Sequence, residues 1–109
     1  MSTLVSNEVI LEPADNKRLS SLCGPFDDNI KQIERRLGVE ISYRNNAFKV
    51  SGEALQANGV AELLKLLYIE TQPVKGLIPQ LEPEQVHLAI QEARFPERSE
   101  STVYGKEVN

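Results

Sequence analysis

The chain has 109 residues, 40% hydrophobic and 26% charged, enough for one domain with an ordinary core and too few for two. Sixteen acidic against twelve basic residues give a net charge of -4, which argues against a chain-wide basic surface but leaves room for a local basic face. A single cysteine (Cys23) excludes an internal disulfide, a single histidine (His87) leaves few ligands for zinc, and no apolar stretch approaches the ~20 residues that span a bilayer.

Met1 to Asn7 lack the basic start and apolar centre of a signal peptide, so a cytoplasmic, non-membrane protein is expected, with residues 1–7 as an amino-terminal tail. Glu8-Val9-Ile10-Leu11-Glu12, stopped by Pro13, reads as a strand. Asp15 or Asn16 is placed to cap a short helix that buries Leu19 and Leu22 and ends at Gly24-Pro25. Phe26, Ile30, Ile33 and Leu37 recur at helical spacing and predict a second helix with one apolar face. Asp27 stands at its N-cap position, Arg35 and Arg36 in its last turn, and Gly38 at its left-handed stop.

The period then changes to two. Val39, Ile41 and Tyr43 alternate with Glu40 and Ser42, Arg44-Asn45-Asn46 forms a turn, and Phe48 and Val50 alternate with Lys49 and Ser51. Gly52 separates this hairpin from a helix over about 53–71, whose apolar stripe is Leu55, Val60, Leu63, Leu64 and Leu67. A connector with Pro73, Gly76 and Pro79 leads to a further helix starting near Pro83, with Val86, Ala89, Ile90 and Ala93 on one side. Residues 97–109 have no apolar period and read as a polar tail or linker.

The order strand, helix, helix, strand, strand, helix predicts a two-layer α+β domain over 8–72, a three-stranded sheet covered by helices on one face, with the connector and additional helix over 73–96. A glycine turn between the first two helices, Gly24-Pro25-Phe26-Asp27, followed by Ile30 and Ile33 and then by Gly38-Val39-Glu40-Ile41, resembles the KH domain. There a G-x-x-G loop precedes x-x-I-x-x-I and lets backbone amides approach the nucleic-acid backbone. Asp27 replaces the second loop glycine here.

Longer segments resemble the start of bacterial PhoH-like ATPases: Leu11-Glu12-Pro13-Ala14-Asp15-Asn16, Leu22-Cys23-Gly24-Pro25-Phe26-Asp27-Asp28-Asn29, Ile33 through Ile41, and Leu81 through Ile90. The resemblance covers roughly 8–95. It implies a KH-like region for single-stranded RNA, followed in a longer protein by a P-loop ATPase domain that would hold ATP and Mg, in RNA metabolism, with a ribosomal-RNA-maturation endoribonuclease as a partner. No Gly-Lys-Ser/Thr phosphate loop occurs in these 109 residues, so no cofactor and no catalytic residue are expected in this piece.

The nucleic-acid-binding residues expected on this reading are Gly24, Pro25, Asn29, Lys31, Arg35 and Arg44. The window from Lys17 to Lys49 holds seven basic against four acidic residues, a net +3 inside a chain of -4. Against this stands an ordinary solvated helix face, with Lys31 and Arg35 paired to Glu34, and Phe26 and Tyr43 as core residues. Loss of the second loop glycine, the acidic balance and the leucine-rich Leu63 to Ile69 stretch support an alternative, a protein-interaction or homo-oligomerisation module, marked by Leu66 or Ile69 left outside the core.

Overall fold

A computed structural model describes residues 4–93; the first three residues and 94–109, which include the expected polar tail, lie outside the described residues. Its elements are β1 (Leu4–Ile10), α1 (Asn16–Cys23), a single 3-10 turn (Pro25–Asp27), α2 (Asp28–Leu37), β2 (Glu40–Arg44), β3 (Ala47–Glu53), α3 (Ala54–Ile69) and α4 (Pro83–Ala93). The three strands form one antiparallel sheet in the order β1-β3-β2.

Alternation along the strands sets the faces. Val5, Val9, Ile41, Phe48 and Val50 point to the helical layer, with Val9 opposite Phe48 and Ile41 opposite Val50. Glu8, Lys49 and Ser42 lie on the other face, in register across the three strands, and are exposed. Asn7 points inward and is satisfied by donating its side-chain amide to Asn58 of α3, which crosses β1 and β3.

Several boundaries differ from the sequence expectation. Leu4 to Asn7 are strand rather than tail, because pairing with Val50 to Glu53 satisfies their backbone. β3 runs through Gly52 instead of ending before it. The missing side chain there admits β2's neighbour Val39, since a Cβ on Gly52 would lie 3.0 Å from Val39 Cγ1. Leu55, expected in the α3 stripe, is exposed in the first turn, and Ala57 takes the inward place.

The added helix is not an appendage. Leu81, Val86 and Ile90 join the same core as Leu22, Ile33 and Leu37, and α4 packs against both α2 and α3. Polar groups secure the approach to it. Ser21 Oγ donates to the Pro79 carbonyl at 2.6 Å and accepts from Leu81 N at 2.9 Å. Residues before and after position 72 therefore contribute to one hydrophobic core.

Candidate nucleic-acid groove

The helix caps place the loop. Asp15 accepts from the amides of Lys17 and Arg18 at 2.9 and 3.2 Å and starts α1. Gly24, at φ 82°, ends it by donating to the Ser20 carbonyl at 3.0 Å. The glycine is needed twice over, because a Cβ at Gly24 would lie 2.9 Å from Asn29 Nδ2 as well as requiring the left-handed region. Phe26 and Asp27 follow at φ 55° and 60°, two consecutive non-glycine residues in a region L side chains rarely take. Aspartate tolerates that backbone better than most residues, so the second loop-glycine position keeps a glycine-like conformation without a glycine.

Three of the loop's amides are occupied internally. Gly24 N binds Ser20 O, Asp27 N binds Gly24 O, and Asp28 N binds Pro25 O. The expected route, amides turned toward a phosphate, is thus largely closed. Asp27 does not cap α2 with its side chain either; its carboxylate accepts from the Tyr43 hydroxyl at 2.7 Å.

Between this loop and the β2–β3 turn runs an open groove of about 310 Å³. Asn16, Ser20 and Cys23 of α1 line one side with Gly24 and Asp27, and Tyr43 and Asn45 face them. Tyr43, expected in the core, is partly exposed. It stacks on buried Phe48 with centroids 4.9 Å apart and spans to Asp27, because an inward position at the end of a short strand reaches the rim rather than the centre. Asn45 takes φ 54° in the two-residue turn, and Asn46 holds the turn to the β1 exit by donating to the Leu11 carbonyl at 2.9 Å.

Phe26 is the largest departure from expectation. Its helical spacing with Ile30 predicted burial, yet it is 88% exposed, because the left-handed turn at Phe26 and Asp27 rotates it off the α2 stripe. It stands on the loop that walls the groove.

The six residues expected to bind nucleic acid fall into three groups. Gly24 lines the groove and Pro25 is exposed beside it. Asn29 is 1% exposed and donates Nδ2 to the Leu22 and Leu81 carbonyls at 3.2 and 3.0 Å, so it pins the loop to the α4 approach and presents no group to solvent. Lys31, Arg35 and Arg44 are exposed but line no part of this groove; Arg44 alternates away from Tyr43 onto the open sheet face.

The pairing of Lys31 and Arg35 to Glu34 is replaced by a different contact. Glu34 accepts from Ile41 N at 2.8 Å, and the ion pair found among the described residues is Glu62–Lys65. Arg18, counted with the basic surface, is 5% exposed. Its guanidinium donates to Thr71 Oγ1 and the Tyr68 carbonyl and lies 4.1 Å from the Tyr68 ring centroid.

Two groups at the groove, the Cys23 thiol and the Tyr43 hydroxyl, are raised above their ordinary values. Burial pushes the Cys23 thiol up to about 11; the Tyr43 hydroxyl beside it offsets this in part, and Asp27 adds to it. The hydrogen bond to Asp27, more than desolvation, raises Tyr43 above its ordinary value. Cys23 is therefore a poor nucleophile at neutral pH. Among the described residues no group of three or more His, Cys, Asp or Glu is placed to hold a metal ion, and no helix is long and apolar enough to cross a membrane. Asn16, Ser20 and Asn45, which line the groove, and Phe26, on its loop, are not among the residues the sequence points to; only the loop's backbone conformation, which sequence spacing does not report, singles out Phe26. Comparison with protein-family models and with solved structures finds no match to the chain.

Proposed function

We propose that this domain is a KH-like module for single-stranded RNA, and that it belongs to a PhoH-like ATPase whose P-loop, ATP and Mg lie outside these residues. One observation carries the RNA reading: an exposed phenylalanine, Phe26, on a strained glycine-started loop beside a groove whose far wall is Tyr43 and Asn45. An exposed aromatic at positive φ serves no packing purpose, and bases of single strands stack on such rings with little sequence preference. The element order and the loop between α1 and α2 support the KH comparison.

The contacts differ from an amide-led grip. Phe26 and Tyr43 stack bases, and Asn16, Ser20 and Asn45 offer hydrogen bonds along the groove. Lys17, Lys31 and Arg35 are exposed on α1 and α2 and attract the phosphate chain over a distance. Asp27 and Asp28 oppose phosphate at the helix start, so modest affinity is the expectation.

The test is fluorescence anisotropy of labelled single-stranded RNA at two salt concentrations. Binding is expected to weaken as salt rises, and Phe26→Ala to weaken it about tenfold, a stacking loss of ~1–3 kcal/mol per base. Changing Lys31 and Arg35 together to glutamate is expected to weaken it and to flatten its salt dependence, with the fold intact. No binding at high micromolar protein, or binding indifferent to Phe26→Ala, would remove the RNA reading. The parent assignment is tested by reading the gene onward for Gly-x-x-x-x-Gly-Lys-Thr.

A further inference from the structure

α3 is apolar around most of its circumference. Ala57, Val60 and Leu64 are fully buried, yet Leu66 and Ile69 on other sides of the same helix are more than half exposed. A helix apolar on more than one side is normally covered on more than one side. Leu88 of α4 is also more than half exposed, and with Leu66 and Ile69 it walls an open groove of about 550 Å³ between α3 and α4. Buried Leu63 and Leu67 form the floor. The charged residues lining it are Glu70 and Glu92, and among the described residues no lysine or arginine lines it. It shares no residue with the groove beside Phe26.

We propose that this second groove is a docking site for a basic amphipathic helix of a partner protein. Three features select that occupant. Two helices make the walls and no strand edge is present, so the geometry is that of a helix laid in a groove. The lining extends over Leu63 to Glu70 on α3 and Gln85 to Ala93 on α4, about two helical turns at 1.5 Å per residue, which fits apolar anchors at i, i+3 or i+4, and i+7. The carboxylates of Glu70 and Glu92 select a lysine- or arginine-bearing helix over an acidic one, and they set a like-charge penalty against a second copy of this acidic chain.

The probes are two fluorescein-labelled 18-residue peptides with the same leucine stripe, one carrying lysine and the other glutamate at the flanking positions. Anisotropy titrations use the full chain and four variants: Leu66→Glu, Leu88→Glu, the double change Glu70→Lys with Glu92→Lys, and Leu55→Glu as a control on the exposed first turn of α3. The lysine peptide is expected to bind at least tenfold tighter than the glutamate peptide. Leu66→Glu and Leu88→Glu each weaken it at least tenfold, Leu55→Glu leaves it unchanged, and the double change reverses the preference. Because the altered leucines are exposed, thermal melts should be unchanged. RNA affinity should also be unchanged, which separates this site from the RNA reading. Equal binding of both peptides, or binding insensitive to Leu66→Glu and Leu88→Glu, overturns the proposal. So does a dimer of the chain alone, seen by light scattering, that those two variants dissolve.

Discussion

Gly24 and Phe26 stand two residues apart in left-handed backbone, and the physical chemistry assigns them opposite responses to mutation. At Gly24 an added methyl meets both an unfavourable φ and Asn29 at 2.9 Å, so Gly24→Ala is expected to cost about 1–3 kcal/mol in denaturant unfolding. At Phe26 the ring is exposed and the backbone is strained, so Phe26→Gly removes strain without losing packing. A gain of roughly 0.5–1 kcal/mol is expected, less than the strain itself because glycine also loosens the unfolded chain. A variant more stable yet weaker in RNA binding by about tenfold would separate the loop's functional role from its structural one; a less stable Phe26→Gly would contradict the strain argument. Cys23 supplies a pH dependence. Its thiol ionises near 9.0 when unfolded and near 11 when folded, so its contribution is complete below pH 9 and is lost as pH rises toward 11. Tyr43, also raised, adds to the loss in the same direction above its ordinary value of 10.0. Urea unfolding at pH 8 to 11 should show wild type losing stability relative to Cys23→Ala across that interval, and parallel curves would refute the assignment.

Among the elements, α4 is the one whose status the packing changes. Ile90 and Val86 fill the space between α2 and α3, and Leu81 carries the carbonyl to which Asn29 donates. Ile90→Ala is therefore expected to cost about 2–4 kcal/mol, the range for truncating a large buried aliphatic, and to lower the melting temperature of the whole domain in one transition. A separate low-temperature transition for α4 would instead support a unit boundary near residue 72. The same element makes the apolar groove with α3, so its docking onto the core creates the surface on which the proposed partner helix lies.

At the scale of the molecule, charge is distributed by face rather than by count. The basic excess of the Lys17 to Lys49 window persists at the surface: Arg18 is buried and half-buried Arg36 donates to His87 Nδ1 at 2.6 Å, but Asp27 and Glu34 are also half-buried and hydrogen-bonded, leaving Lys17, Lys31, Arg35, Arg44 and Lys49 exposed against Asp28 and Glu40. With Lys17, Lys31 and Arg35 as the cations assigned to the phosphate chain, in a chain of net -4, the slope of log affinity against log salt is expected to be shallow, about -2 for three neutralised phosphates on a single strand. A titration series from 50 to 200 mM salt measures it, at the order of magnitude the counterion-release rule sets. A steep slope would point to a broader basic face than the one described. The proposed RNA groove and the proposed helix groove share no lining residue, which leaves room for both ligands on one domain.

The sequence alone determined the elements that depend on local physics. Helical spacing at Ile30, Ile33 and Leu37, alternation at Ile41, Tyr43, Phe48 and Val50, the left-handed stop at Gly38 and the asparagine turn each reflect a neighbour a few residues away. The tertiary structure decided what depends on residues about fifty positions distant. Arg18 is buried because Tyr68 and Thr71 receive its guanidinium, Asn29 because Leu81 accepts its amide, and α4 belongs to the core because Leu81, Val86 and Ile90 close it. Phe26 is a case between the two: its spacing is local, but the positive φ that turns it outward is sustained by Gly24 against Asn29 and by Asp27 held to Tyr43. Periodicity reports that an element has an apolar face, while the side chains that complete the loop and the groove are chosen by contacts that no short window of sequence contains.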